Sequence, residues 1–198
     1  MKPYLGMPIL ETERLILRKF VIDDAEDVYR NWASDEETCT YLTWNPHVSL
    51  KESRDAVCKW IAYYEKSGYY WAIERKDVRD VIGDVFVFRA VPAEDLMEIG
   101  ICIGKRYWRQ GYGKEAAIRM MRFLFEEAHV GTILAKHDDL NIASRHLLPA
   151  CGLNLDKNYS GSRKRRDGTT CTLLYYSASR QNWLEWEAAC SGREVLLV

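Results

Sequence analysis

No stretch of this sequence approaches the roughly 18 consecutive apolar residues that a membrane-spanning helix requires. Its opening residues, MKPYLGMPILETERLILRKF, hold no uninterrupted apolar run of signal-peptide length. A soluble cytoplasmic protein without a membrane partner is expected. Charge of one sign is lacking too: 28 basic residues against 29 acidic ones leave a formal net charge of -1. No global field exists to hold nucleic acid, and no nucleic-acid partner is expected. The cysteines Cys39, Cys58, Cys102, Cys151, Cys171 and Cys190 include no C-x-x-C pair. The four histidines form no H-E-x-x-H or comparable helical pair. His137 beside Asp138 and Asp139 comes nearest to a ligand set but lacks the spacing, so no metal is expected.

What the chain does have is apolar material for one core. With 198 residues, 47% of them hydrophobic, it is long enough to bury a sizeable interior and too short for two comfortable domains. The expectation is one domain over 1–198, with a core over about 9–180 and a C-terminal helix and tail over 181–198. ERLILRKF alternates as a strand, and Asp23 or Asp24 can cap the helix after it. There Ala25, Val28, Tyr29, Trp32 and Ala33 form one helical stripe. Ser49 with Glu52 three residues on is a capping box opening a second helix, and Gly68 offers a left-handed stop. YYWAIER, VIGDVFVFRA and LMEIGICIG then read as an antiparallel meander. A helix from about Gly113 to His129, the strand TILAKH and a short helix closed by Gly152 follow. Pro149 should kink or end that short helix. Two strands flank the basic turn SRKRRDGT, and RQNWLEWEAAC is a last amphipathic segment. This order is α/β of the α+β kind: a mixed, mostly antiparallel sheet flanked by helices.

The segment YWRQGYGKEAAIRMMRFLF carries the chemistry, because two glycines one residue apart open an amphipathic helix. A plain turn is one reading. A dinucleotide fingerprint is a second, since Gly111, Gly113 and Ala116 satisfy G-x-G-x-x-A, but half the chain precedes the loop and too few crossovers follow it. In the third, successive backbone N–H groups at the helix N-terminus wrap a pyrophosphate.

The third reading coincides with a family pattern. Trp108, Arg109, Gln110, Gly111, Tyr112 and Gly113 fill the loop R/Q-x-x-G-x-G/A of the GCN5-related N-acetyltransferases. The likeness extends to ETERLILRKFVIDDAEDVY, YLTWNPHVSLKES, NIASRHLLPACGL and DGTTCTLLYYSASRQNW. In these segments the chain resembles the ribosomal-protein-alanine (Rim-type) branch, where tryptophan at the first loop position is common. The resemblance implies acetyl-CoA as co-substrate and an amine acceptor, either a protein N-terminal α-amine or a small-molecule amine. It implies splayed cofactor strands, with Ile101, Cys102 and Ile103 offering backbone groups to the pantetheine arm. Arg109, Gln110, Gly111, Tyr112, Gly113 and Lys114 would cradle the pyrophosphate.

Asn141 and Ser144 match the family's N-x-x-S, and both also suit ordinary helix capping. By the resemblance Asn141 contacts pantetheine, Glu98 is the base and Ser144 the acid. Many members carry an acidic tyrosine on that helix, and this one has none; Tyr175 and Tyr176 are fallback donors. Tyr41, Trp44 and His47 border the acceptor site in this reading. An α-amine with a pKa of about 7.7–8.0 is roughly a tenth neutral at pH 7, far more than a lysine near about 10.4, so it asks less of a base. The turn Arg163, Lys164, Arg165 and Arg166 reads as a solvated hairpin tip, with an acidic substrate or the cofactor's 3′-phosphate as alternative partners. The apolar run ending the chain has two expected places, on the domain itself or on a second copy as a homodimer. Rival functions are a CoA-binding sensor or assembly module and a nicotinamide-nucleotide enzyme.

Overall fold

Alternation in the segment LILR sets one edge of the sheet. β1 (Leu10–Glu11) lies antiparallel to β2 (Leu15–Arg18), and Leu10, Leu15 and Leu17 are all buried. The computed structural model describes residues 6–64, 68–91 and 95–192. After β2 a 3-10 turn at Ile22–Asp24 leads into α1 (Ala25–Val28) and a wider π-type turn over Tyr29–Ala33. The expected stripe forms, with Ala25, Val28, Trp32 and Ala33 buried. Asp24 secures the entry, accepting from the Val21 N–H at 2.8 Å and from two Arg18 guanidinium nitrogens, each at 2.8 Å.

The short α2 (Glu36–Cys39) precedes α3 (Leu50–Tyr64). Ser49 Oγ accepts from the Glu52 N–H at 3.4 Å, while Glu52 Oε2 accepts from the Val48 N–H at 2.9 Å. The capping box therefore closes one residue further out than the spacing predicts. Gly68 also departs from expectation, since it is not among the left-handed glycines. A Cβ there would collide with the Tyr63 ring, so close approach is what requires glycine.

β3 (Tyr70–Arg75), β4 (Val81–Val91) and β5 (Leu96–Ile103) form the meander, antiparallel throughout. α4 (Tyr112–Arg122), continued by π-type turns over Phe123–Glu127, crosses to β6 (Thr132–Asp138), which lies parallel to β5. α5 (Ile142–Ala150), β7 (Asn154–Leu155), β8 (Ser162–Lys164), β9 (Thr170–Ser179) and α6 (Arg180–Ser191) complete the chain. Pro149 falls in the last turn of α5 and the helix stops at Ala150, with Gly152 left-handed at φ +85°. The sheet runs β1-β2-β3-β4-β5-β6-β9-β7, and β8 pairs with β9. Of the strand pairs described, only β5–β6 is parallel. A doubly wound dinucleotide sheet needs several such crossovers.

Strand alternation divides the core between the two faces. Trp71 and Ile73 of β3 join Met120, Met121 and Phe125 from the helix side of α4 and its continuation. Ala72 of the same strand faces Phe20, Val28, Trp32 and Val57, under α1 and α3. Among the described residues no helix is long and apolar enough to cross a membrane, and no cluster of His, Cys, Asp and Glu could hold a metal ion. The terminal apolar run that prompted the homodimer expectation lies largely outside the described residues.

Candidate active site

The parallel pair sets the position of the site. β5 and β6 pair from Leu96–Thr132 to Ile99–Ala135 and then part, although β5 runs on to Ile103 and β6 to Asp138. Each remains bonded to its outer neighbour, β4 or β9, so the gap opens inside the sheet. A cavity of about 390 Å³ occupies it, reached by Glu98 and Ile101 from β5, Lys136 and His137 from β6, Asn141 just before α5 and Ser144 within it. Past Ile99 the inner edge of β5 has no strand partner and can serve an extended ligand, as an added strand would. Of the three residues whose backbone groups are expected along that edge, Ile103 has its carbonyl engaged within the protein, and the Cys102 side chain is packed away from the gap. The Ile103 carbonyl accepts the Trp108 indole N–H at 2.6 Å. Cys102 turns its thiol into the α1–α3 core, where burial raises its pKa well above the ordinary thiol value. A thiol held protonated is a poor nucleophile. Cys102→Ala is expected to leave turnover essentially unchanged; a total loss in a folded protein would argue against direct transfer.

At one end of the gap the glycine loop is braced from behind. Arg14 Nη1 donates to the Gln110 carbonyl at 3.0 Å, and its guanidinium lies 4.5 Å from the centroid of the Tyr112 ring. Glu115, in the first turn of α4, accepts from the Arg14 backbone N–H at 3.0 Å and from Arg14 Nε at 2.7 Å. Tyr112 is buried, so its side chain anchors the loop and only its backbone is available to a ligand. Arg109 at φ +60° and Gly111 at φ +83° make two left-handed turns just before α4, and the cavity lining from α4 begins a turn later, at Ala117. Arg109, Gln110 and Lys114 are exposed.

Gly113 is different from Gly111. Its φ is not left-handed, and a Cβ built on it would make only ordinary contacts, the nearest at 3.5 Å from Ile103. Nothing in the packing requires glycine there. The room left over the first turn of α4, where N–H groups lack intrahelical partners, suits a pyrophosphate pressed against backbone.

Glu98 stands one pair before the parting point. It is buried rather than solvent-facing, and Lys136 Nζ lies 2.7 Å from its Oε1. Asn141 caps α5, its Oδ1 accepting from the Ser144 N–H at 3.1 Å. The cap thus uses Asn141's acceptor and leaves its amide donor for a ligand. Tyr176 is buried and Tyr175 half-buried, as strand alternation predicts. His137 is 6% exposed, and its Nε2 is buried without a hydrogen-bond partner.

Tyr41 and Trp44 reach the opposite mouth of the cavity, and His47 does not. The His47 Nδ1 pairs with Ser53 Oγ at 2.8 Å, and its ring packs 5.1 Å from Trp44, which makes it an anchor of the loop. The basic turn corrects a larger expectation, because it folds back instead of projecting as a solvated tip. Arg165 holds Asp138 with Nε–Oδ2 and Nη2–Oδ1 contacts, both 2.8 Å. Arg163 donates to the Tyr41 carbonyl at 3.0 Å, and Arg166 reaches Glu36 at 3.3 Å. These internal partners account for the three arginines without an outside anion.

Residues 14–154 match the family model described as an acetyltransferase (GNAT) domain. The chain belongs to the GNAT acetyltransferases. It is 33% identical over 146 residues to the uncharacterized N-acetyltransferase YoaA of Bacillus subtilis, covering 73% of this chain and 82% of that one. A GCN5-related N-acetyltransferase from Brucella melitensis superposes with a TM-score of 0.82 at 18% identity, over 96% of this chain and 86% of the other. The ribosomal-protein-S5-alanine acetyltransferase from Vibrio fischeri gives 0.73 at 15% identity, over 89% and 98%. At these identities the two structures speak for the fold. The chain is accordingly an acyltransferase with acetyl-CoA as donor.

Sequence patterns leave several groups of this acetyltransferase site unassigned: Lys136 on Glu98, the arginines over the cleft, and the free nitrogen of His137. The arginines registered in the sequence as a basic turn, and His137 only as a possible metal ligand. Alternation explains why it misled, since His137 and Asp138 are neighbours in sequence but face opposite sides of β6.

Proposed function

We propose that this acetyltransferase passes the acetyl group directly to a primary amine within a ternary complex. The donor lies along the gap between β5 and β6 with its pyrophosphate at Gly111–Gly113, and the amine enters past Tyr41 and Trp44. One observation carries the reading: the strands part immediately after Ile99 and Ala135, and the helix α4 opens with glycine at 111 and 113, where Gly113 faces Ile101 and Ile103 of β5 with room to spare. Loop residues Arg109, Gln110 and Lys114 frame the phosphates, and Asn141 offers its amide donor to the pantetheine arm. Glu98 and Ser144 are the base and acid carried over from the family pattern. The Vibrio fischeri structure is named for an alanine of ribosomal protein S5, which supports a protein N-terminal α-amine as one acceptor class beside small amines.

Thermal unfolding with acetyl-CoA, and with NADH in parallel, tests the donor. At about 100 times Kd a native-state ligand adds about 2.7 kcal/mol, or about 5–10 °C in Tm for a domain of this size. A rise with acetyl-CoA alone is expected; a rise with NADH alone would sink the reading. Gly113→Ala sharpens the test because its two effects have opposite signs. Alanine should raise the stability of the ligand-free protein by about 0.5 kcal/mol through helix propensity. The same methyl group should sharply reduce the acetyl-CoA-induced rise.

The Glu98–Lys136 ion pair favours a second reading, a CoA-binding module without turnover, because the carboxylate oxygen is already engaged by a protein cation. A screen of amines at saturating acetyl-CoA separates the two: binding without acetylation of any amine supports the module.

A further inference from the structure

We propose that His137, in place of the Glu98 and Ser144 pair that the family pattern supplies, is the proton carrier of the transfer, taking a proton from the attacking amine and delivering it to the departing sulfur. This rests on the direct-transfer reading given above. Ile133, Ala135 and His137 point to the same face of β6, toward α4 and α5. Ala135 is the last residue paired with β5, so His137 is the first on that face to meet the open gap.

Its tautomer follows from its partner. Nδ1 lies 2.7 Å from the Asp138 carbonyl oxygen. A carbonyl can only accept, so the proton sits on Nδ1 and Nε2 presents a lone pair. That lone pair has no protein partner, and leaving a buried acceptor unsatisfied is unfavourable. A ligand donor in the cavity would satisfy it. The ring is held in place by Tyr176 of β9, at 5.3 Å between centroids and 27° between planes.

Burial is the largest influence on the ring and lowers its pKa, with Arg145 of α5 acting in the same direction. Asp138 and Asp139, at the end of its own strand, oppose them. Neutral imidazole is therefore the resting form near pH 7. The amine nitrogen bonds to the thioester carbon, whose carbonyl electron pair moves onto oxygen. Nε2 takes the surplus proton from that nitrogen. The carbonyl reforms, the C–S bond breaks with its electron pair going to sulfur, and Nε2–H returns the proton there. The ring ends as it began, and no other acid is needed on a helix that lacks tyrosine.

His137→Gln is the decisive variant, because its amide oxygen can still accept a hydrogen bond but cannot carry a proton. The expected result is a fall in kcat of about 10²–10³-fold, with acetyl-CoA affinity by calorimetry and the Tm both close to wild type. The acidic limb of the wild-type kcat–pH profile should disappear with it. Nitrogen NMR of the ring in the donor-free protein should show Nε2 unprotonated at pH 7. Unchanged kcat in His137→Gln overturns the proposal, as does a raised KM for acetyl-CoA with kcat intact, which would mark a binding contact. Unaltered kcat in His137→Phe would overturn it as well. A wild-type protein that acetylates no amine would instead bring down the direct-transfer reading, and this proposal with it.

Discussion

Replacing Asp84 with asparagine is expected to stabilise the protein by about 3–4 kcal/mol at pH 8 and to have little effect at pH 4. Asp84 sits on β4 opposite Cys102 and is 3% exposed. The Tyr70 hydroxyl donates to its Oδ2 at 3.2 Å, while its Oδ1 has no partner. Desolvation dominates and lifts its pKa from 3.8 to about 7, against smaller opposing effects of the Tyr70 and Cys102 hydrogen bonds. Between those values the native state keeps a proton that the unfolded chain releases. Stability therefore falls by about 1.4 kcal/mol per pH unit across that window and stays low above it. Asparagine has nearly the same shape and nothing to ionise. Urea unfolding of both proteins from pH 4 to 8.5 should show curves that converge in acid and separate near neutrality. Parallel curves would mean that Asp84 is not the buried acid described.

Regular periodicity made most of this fold legible. β2 to β5, α3 and α4 all carry enough residues for alternation or a helical stripe to register. The strands that escaped are short: β1 and β7 have two residues each, and β8, with three, lies inside the stretch read as a basic turn. The glycine loop that opens α4 was legible because its requirement is local: a glycine pair followed by a helix. The contacts around the gap between β5 and β6 were not, because they join residues distant in sequence. Glu98 meets Lys136 across the parallel pair, and Arg165 meets Asp138 from a hairpin that a local charge count reads as solvated. An unpartnered nitrogen is still harder to foresee, since His137 acquires its meaning from the Asp138 carbonyl and the parting of two strands.

Asp138→Asn is the other large effect, expected to cost about 2–3 kcal/mol at pH 7. Breaking one side of a buried ion pair costs about 3–5 kcal/mol, and the partial solvent access of Arg165, with Asp139 left as a partner at 2.8 Å, lowers the figure. The Asp138 carboxylate is fully shielded and also accepts from the Leu140 N–H at 3.0 Å, fixing the turn that leads into α5. One side chain thus ties the β8–β9 hairpin to the strand that carries His137 and the turn that carries Asn141. Arg165 holds the Asp138 pKa well below the ordinary carboxylate range. Its stabilisation is present at neutral pH and lost as the pH falls through that depressed value, the reverse of Asp84. The deficit of Asp138→Asn should accordingly be large at pH 7 and smaller at pH 3. A deficit that stays constant with pH would assign the loss to packing instead of charge. Because Arg163 of the same hairpin holds the Tyr41 carbonyl, a loosened hairpin should raise KM for the amine more than KM for acetyl-CoA, and the opposite split would place the hairpin on the donor side.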